Sequence, residues 1–313
     1  MGHSALMMNT YNRFIKDTVQ ALSSFYSKEE AKAIAVRVLN RVCNLTPNEY
    51  IIEPETIIKD NYRDELLRVV SELKTGRPLQ YVTGIQEFFG REFKVCEGVL
   101  IPRPETEELI SWILKNREQG KDLRILDAAS GSGCIGTTLA CELPGCQVYM
   151  LDISKKAVEI SWENSEKLCT FEKIVKSSVK LPVVFESDLF TGPLSQNVVG
   201  GRTLDIIVSN PPYVLESERV LMSRNVIDFE PQEALFVPDR DPLLFYKFLA
   251  NWAQKLLKDG GEIFMELNEA KAVETAELFM ERDFREVELR SDINGKQRML
   301  RCVFRENIYI CIG

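Results

Sequence analysis

Histidine is almost absent from this chain of 313 residues: the one imidazole is His3, near the start. That scarcity excludes Ser-His-Asp triads, histidine acid–base relays and His-ligated zinc. Eight cysteines are present (Cys43, Cys96, Cys134, Cys141, Cys146, Cys169, Cys302 and Cys311), but no two are spaced Cys-x-x-Cys. They read as buried free thiols of a reducing compartment, and no metal site is expected. No apolar run approaches the ~18–20 residues that span a bilayer. Lys16, Asp17, Glu29 and Glu30 break up the first thirty residues, which therefore lack a signal-peptide core. The expected location is cytoplasmic, with no membrane partner. Positive charge is also in short supply. Thirty-nine Lys and Arg face 47 Asp and Glu, a net charge of −8, which argues against a protein that works by neutralising phosphates. No direct nucleic-acid partner is expected.

What is present is ordinary for a globular protein, with 45% hydrophobic and 27% charged residues. The length suits one large domain or two and can bury a sizeable core. Residues 8–75 read as helical. Ser27-Lys28-Glu29-Glu30 is a capping box followed by Ala31, Ile34, Ala35, Val38 and Leu39 at helical spacing. Thr46-Pro47-Asn48-Glu49 is a second box, and a third helix, about Asn61 to Lys74, stops at Gly76. The spacing predicts a β-hairpin over Phe88–Val95 with a glycine turn. Pro102 and Pro104 flank Arg103 as a stiff extended entry to a helix of about Thr106 to Lys115. From 123 onward strands and helices alternate. Strands are expected at 123–126, 147–151, 182–186, 205–208, 262–266, 286–290 and 298–303, with helices at 133–142, 154–168, 242–257 and 269–280. That alternation predicts an α/β fold with a doubly wound, mostly parallel seven-stranded sheet. The expected organisation is a helical domain over 1–76, a hairpin linker over 77–104 and the α/β domain over 105–313. The long connection from Tyr213 to Asp241 keeps apolar anchors and is expected to be an ordered active-site lid.

The first strand of the alternating region runs into Asp127-Ala128-Ala129-Ser130-Gly131-Ser132-Gly133-Cys134-Ile135-Gly136. Glycines between a strand and a helix allow a tight turn and a close ligand approach. Asp152, 21 residues after Gly131, ends the second strand, where a carboxylate can accept both ribose hydroxyls. This pair suits a nicotinamide cofactor or S-adenosylmethionine. Asp127 tips the choice, because an acid at that strand end suits a cationic ligand and is awkward beside a pyrophosphate. The fourth strand ends in Ser209-Asn210-Pro211-Pro212-Tyr213. Ligands lie beyond the carboxyl ends of such strands. The Asn210 side-chain oxygen and the Pro211 carbonyl can accept the two N–H groups of a planar nitrogen, with Tyr213 stacking on it.

Asn-Pro-Pro-Tyr after such a loop resembles the methyltransferases that act on planar exocyclic nitrogens, either adenine in DNA or glutamine in proteins. Three further runs resemble the peptide chain release factor glutamine methyltransferases, the HemK/PrmC family. They are Gly76-Arg77-Pro78-Leu79-Gln80-Tyr81-Val82-Thr83-Gly84, Phe88-Phe89-Gly90, and Val99-Leu100-Ile101-Pro102-Arg103-Pro104-Glu105-Thr106-Glu107. Asp188-Leu189-Phe190, the Phe229–Leu235 segment and Asp292-Ile293-Asn294-Gly295 fit as well, so the resemblance covers residues 10–305. It implies a Rossmann-like methyltransferase fold with S-adenosyl-L-methionine as cofactor. The cofactor would be held by Asp127, Ala129, Ser130, Gly131, Ser132, Gly133, Asp152, Asp188, Leu189 and Asn210. Catalysis and substrate binding would fall to Asn210, Pro211, Pro212 and Tyr213, with Arg103 and Glu105 on the substrate side. The implied partner is a class I release factor, whose Gly-Gly-Gln glutamine is the acceptor and which the helical domain helps to hold. Close alternatives are a ribosomal-protein glutamine methyltransferase and an adenine-N6 DNA methyltransferase; more distant ones are a nicotinamide oxidoreductase and a binding module without activity. The family usually has glycine where Ala129 stands. At φ > 0 the alanine costs ~1 kcal/mol or more, and at negative φ little.

Overall fold

The computed structural model describes residues 9–115, 122–191 and 201–306. His3 and Cys311 lie outside these residues. The chain divides into two compact units. One takes in the described residues up to Gly84 together with Met222–Phe229; the other takes in Ile85–Leu221 and the described residues from Glu230 onward.

The first unit is a bundle of short amphipathic helices. Helix α1 (Tyr11–Leu22) starts on Thr10, whose hydroxyl accepts from the Arg13 N–H. Helix α2 (Lys28–Cys43) starts on Ser27, which accepts from the Glu30 N–H as the capping box predicts. It ends at Asn44, whose φ of 54° is the left-handed form that asparagine tolerates. The second box forms in part: the Glu49 carboxylate accepts the Thr46 N–H at 3.2 Å. Its helix, α3 (Glu49–Ile52), lasts four residues before Pro54. Helices α4 (Asp60–Leu73) and α5 (Leu79–Thr83) complete the set, and Phe14, Leu22, Leu39, Leu66 and Leu73 form its interior. By packing, α5 goes with this unit, although it lies beyond the boundary at 76 read from the sequence.

The second unit opens with the hairpin β1 (Ile85–Phe88) and β2 (Arg91–Lys94). Its turn residues Phe89 and Gly90 both have positive φ, 50° and 70°, the mirror-image turn that matches strand twist. Helix α6 (Pro104–Leu114) carries proline at its first turn, and its Glu107 carboxylate accepts the Phe89 N–H at 2.9 Å. The alternating region supplies β3 (Arg124–Ala128), α7 (Cys134–Glu142), β4 (Gln147–Asp152), α8 (Lys155–Val175), β5 (Val183–Glu186) and β6 (Leu204–Ser209). Then come β7 (Val214–Leu215), α9 (Arg224–Phe229), β8 (Phe236–Val237), α10 (Leu244–Leu256), β9 (Leu257–Glu266), α11 (Ala272–Met280), β10 (Phe284–Ser291) and β11 (Gln297–Phe304).

The large sheet has seven strands in the order β10-β11-β9-β6-β3-β4-β5. Neighbours from β9 to β5 run parallel, while β11 is antiparallel to both β9 and β10. Both faces are covered. Leu126, Ala128 and Ile207 pack with Tyr246, Trp252 and Phe279, while their strand neighbours Ile125, Ile206 and Val208 pack with Trp112, Leu139 and Phe264. Side chains that alternate between two buried faces explain why these strands read as apolar runs. From β3 the chain winds outward through β4 and β5, then returns to lay β6 on the other side of β3. The switch point therefore lies between β3 and β6, and a crevice opens at their carboxyl ends.

Helix α8 runs to Val175, past the expected end at 168; its last turns carry exposed Phe171, Ile174 and Val175, so no apolar stripe marks them in the sequence. The expectation of a single lid over 213–241 needs correction. The ends of that connection pair as β7 and β8, but Met222–Phe229 in its middle packs with the helical unit. The seven cysteines among the described residues are free, and all except Cys96 are buried.

Candidate active site

Four strand ends, those of β3, β4, β5 and β6, build the site with the loops around them. At the end of β3 the chain must turn within a few residues to start α7. It does so through Ala129, Gly131 and Gly133, all at positive φ (59°, 55° and 76°). Gly136 serves a different end: a Cβ there would lie 2.4 Å from the Met150 sulfur and 3.0 Å from Asp127 Oδ2. The glycine is what lets α7 close on β3 and β4. The Gly136 N–H donates to Asp127 Oδ2 at 2.8 Å. Asp127 is fully buried, and its Oδ1 has no hydrogen-bond partner among the described residues. Burial pushes its pKa up to about 8, the Gly136 bond opposes that rise, and Asp152 adds to it.

At the end of β4, Asp152 Oδ2 accepts the Gly131 N–H at 2.8 Å and Oδ1 accepts the Ser154 N–H at 2.9 Å. One carboxylate thus ties the glycine turn to the start of α8, and each oxygen keeps a second lone pair for a ligand hydroxyl. Burial raises the Asp152 pKa, against the pull of these backbone bonds. After β5, Asp188 Oδ1 accepts the Phe190 N–H at 2.8 Å and holds Leu189 inward. The Leu189 carbonyl accepts from the Trp252 indole N–H at 3.0 Å. Past β6, Asn210 Nδ2 donates to Thr106 Oγ1 at 3.3 Å. Pro211 and Pro212 are buried, and the Tyr213 carbonyl accepts from Asn268 Nδ2 at 3.0 Å. Burial raises the Tyr213 pKa, so its phenol stays neutral.

These ends surround one cavity of about 900 Å³ of empty space, open to solvent. Of the residues expected from the sequence, Ala129, Gly131, Asp152, Asp188, Leu189, Asn210 and Pro212 line it. Asp127, Ser130, Ser132 and Gly133 stand behind the wall as its buried support. Arg103 is held by Glu230, whose Oε1 lies 2.6 Å from its guanidinium and whose Oε2 accepts the Ile101 N–H at 3.1 Å. Its observed role is to fasten the 98–103 loop to the segment of the long connection that returns at Glu230.

Several wall residues escaped the sequence reading. Val99 and Leu100 from the loop, Glu233 and Ala234 from the return, and Phe245 from α10 all border the cavity. Glu266 was missed as well. It ends β9 and is 3% exposed, and burial pushes its pKa up to about 7. An acid that closes the apolar run Ile263-Phe264-Met265, at the carboxyl end of a parallel strand, was the available signal.

Backbone N–H groups, a carboxylate beyond the second strand and a polar segment beyond the fourth define the ligand crevice of a Rossmann-like methyltransferase. The family comparisons agree. A model of the methyltransferase small domain matches residues 105–228, and one of the PrmC N-terminal domain matches residues 15–84. A methyltransferase structure from Pyrococcus furiosus superposes with a TM-score of 0.50 at 16% identity, over 75% of this chain and 100% of that one. The release factor glutamine methyltransferase of Bacteroides thetaiotaomicron is 36% identical over 296 residues, 94% of this chain and 99% of that protein. That of Bacillus subtilis is 37% identical over 254 residues, 78% of this chain and 82% of that protein. The chain belongs to the release factor glutamine methyltransferase family.

Proposed function

We propose that the chain transfers a methyl group from S-adenosyl-L-methionine to the side-chain amide nitrogen of the Gly-Gly-Gln glutamine in class I release factors. The observation that carries this reading is that Asn210 and Pro212 of the Asn-Pro-Pro-Tyr segment line the same cavity as Gly131 and Asp152, which are tied by a hydrogen bond. A cationic cofactor fits the residues present. Asp127 keeps an unpartnered carboxyl oxygen in a fully buried place, and the open face of Gly131 has nothing within 4 Å of where a Cβ would stand. Asp152 would hold the ribose, Leu189 would pack on the adenine, and the Ala129–Gly133 turn would take the amino acid end. When bound, the cofactor supplies an activated methyl group on a sulfonium.

The chain's own residues do the rest. Asn210 Oδ1 and the Pro211 carbonyl accept the two N–H groups of the substrate amide, which aims its lone pair into the cavity. Alignment at ~3–3.5 Å removes much of the entropic barrier, and the same two acceptors gain strength as nitrogen becomes positive. The proton leaves afterwards to water. The helical unit, with its PrmC N-terminal domain match, is assigned to holding the release factor. Arg103 and Glu105 frame the substrate side.

The test is methyl incorporation from labelled S-adenosylmethionine into a purified release factor, its Gln→Glu variant and duplex DNA. We expect label in the release factor alone, because glutamate would set a carboxylate against two acceptors. Asn210→Ala should cost about 100-fold or more in rate, ~3 kcal/mol, while cofactor affinity stays within about tenfold. Labelled DNA, or full activity in Asn210→Ala, would overturn the reading.

A further inference from the structure

We infer that Asn268, with Glu218 beside it, is a positioning residue for methyl transfer. Its side-chain amide fixes the far end of the Asn210-Pro211-Pro212-Tyr213 segment, and with it the two oxygens that meet the substrate amide. The inference deepens the function proposed above and rests on it for the identity of those oxygens.

The segment leaves the sheet where β6 ends. Its near end is held by the β6–β9 ladder, whose last pair is Ser209 with Met265, and by the Ser209 hydroxyl, which donates to the Ala128 carbonyl at 2.7 Å. Pro211 and Pro212 then carry no N–H, so neither can donate a bond that ties the backbone down. Such a segment keeps its shape only if its far end is fixed too. Two bonds do that. The Val214 N–H donates to the Leu235 carbonyl at 2.9 Å, where β7 meets β8, and Asn268 Nδ2 donates to the Tyr213 carbonyl at 3.0 Å. The first leads to a later part of the same long connection. The second leads back to the sheet, because Asn268 lies two residues beyond Glu266, the end of β9. Ser209 with Met265 and Tyr213 with Asn268 thus bracket Asn210, Pro211 and Pro212.

The surroundings of Asn268 leave its amide one orientation. Oδ1 accepts the Ala270 N–H at 2.9 Å and caps the short 3₁₀ turn Glu269–Lys271. The amide nitrogen therefore faces the other way, with two protons to give. One goes to Tyr213 and the other to Glu218 Oε2 at 2.8 Å. The same Glu218 oxygen accepts the Leu215 N–H at 2.8 Å, which closes a second link two residues past Tyr213. The Asn268 backbone is fixed in turn. Its N–H donates to the buried Tyr246 hydroxyl at 3.2 Å, and the Leu267 N–H donates to the Arg298 carbonyl of β11 at 2.8 Å. Asn268 is 6% exposed and does not border the cavity, so it acts through the segment it holds. The oxygens of that segment gain strength as the substrate nitrogen becomes positive, so their displacement falls on kcat.

Asn268→Asp separates the cap from the tie. It keeps an oxygen for the Ala270 N–H, but sets a carboxylate oxygen against the Tyr213 carbonyl and Glu218. It should lower kcat about 30-fold, short of the ~100-fold that a 1 Å misplacement costs, with cofactor affinity within about threefold. Glu218→Ala should lower kcat about fivefold, while Glu218→Gln, whose amide oxygen can still accept both bonds, should stay within about twofold of wild type. In crystals of Asn268→Asp, residues 210–213 should be displaced or carry raised B-factors relative to β6, with the Ala129–Gly133 turn superposing on wild type. Residues 210–213 in their wild-type place, or kcat within threefold of wild type, would overturn the positioning role. A loss shared equally by kcat and cofactor affinity, the mark of general destabilisation, would overturn it as well. If Asn268→Asp yields no folded protein, the Glu218 pair decides, and equal rates in Glu218→Ala and Glu218→Gln overturn the role. A wild type that methylates no release factor, while residues 210–213 move as expected in Asn268→Asp, would overturn the substrate and leave the tie standing.

Discussion

Ala129 sits at φ 59°, in the left-handed region where a Cβ crowds the following carbonyl oxygen. Gly131, two residues on, has a similar φ of 55° without that crowding. The strain at Ala129 is worth ~1–2 kcal/mol, offset in part by the ~0.4–1 kcal/mol of chain entropy that alanine saves in the unfolded state. Ala129→Gly should therefore stabilise the protein by about 0.5–1 kcal/mol, read as a higher urea midpoint at unchanged slope. A lower midpoint would mean that the Ala129 methyl packs well enough in the cavity wall to outweigh its backbone. The sequence left the conformation at Ala129 open. The sign of φ at position 129, which the residue type argues against, was decided by the need to turn from β3 into α7.

Glu230 shows how elements are fastened around the cavity. Its side chain, 1% exposed, accepts from the Ile101 N–H and from the Arg103 guanidinium, so it joins the 98–103 loop to the return of the long connection. Glu107 does a similar service, tying α6 to the hairpin turn at Phe89. Removing one partner of a buried charged bond leaves the other unpaired, which costs more than the bond itself contributed. Glu230→Ala should destabilise by about 2–3 kcal/mol. It should also raise KM for the cofactor more than it lowers kcat, because Val99 and Leu100 of the released loop line the cavity. Unchanged stability and KM would show that the loop holds its place without the clamp. The sequence displayed Arg103 between two prolines but not its partner 127 residues away. Such pairings carry no periodicity.

On the scale of the molecule, the chain passes from the helical unit to the sheet unit, back at Met222–Phe229, and out again. The sheet unit keeps two deeply buried acids at strand ends. Asp127 has its pKa pushed to about 8 and Glu266 to about 7, both chiefly by burial. Unfolded, these groups titrate near ~3.9 and ~4.3. Between those values and the folded ones, the folded protein holds protons that the unfolded chain has released. The stability from this source is complete below about pH 4 and is lost as pH rises through about 7 and 8. Ligand-free protein should thus be less stable at pH 8.5 than at pH 6, by at most roughly 1.4 kcal/mol per pH unit for each group. The double variant Asp127→Asn, Glu266→Gln should show a visibly flatter dependence. Equal slopes in thermal melts of the two proteins across that range would refute the assignment.

Local chemistry dictated much of this protein. Capping residues started α1 and α2, continuous apolar runs made the strands buried on both faces, and glycines marked the β3–α7 turn. Asn-Pro-Pro-Tyr announced an acceptor site for a planar nitrogen. All of these rest on residues close in sequence, where sterics and spacing act directly. Tertiary structure alone decided which parts meet across long separations. It set Asp127 behind the wall instead of in it, gave Arg103 to Glu230, and drew Met222–Phe229 into the helical unit. It also laid β9 beside β6, so that Glu266, more than fifty residues from Asn210 in the chain, ends the strand next to the one Asn210 follows. Strand order and burial create those contacts. The physical reason they stay hidden in the sequence is that a carboxyl group acquires its pKa and its partner only when the sheet closes water out around it.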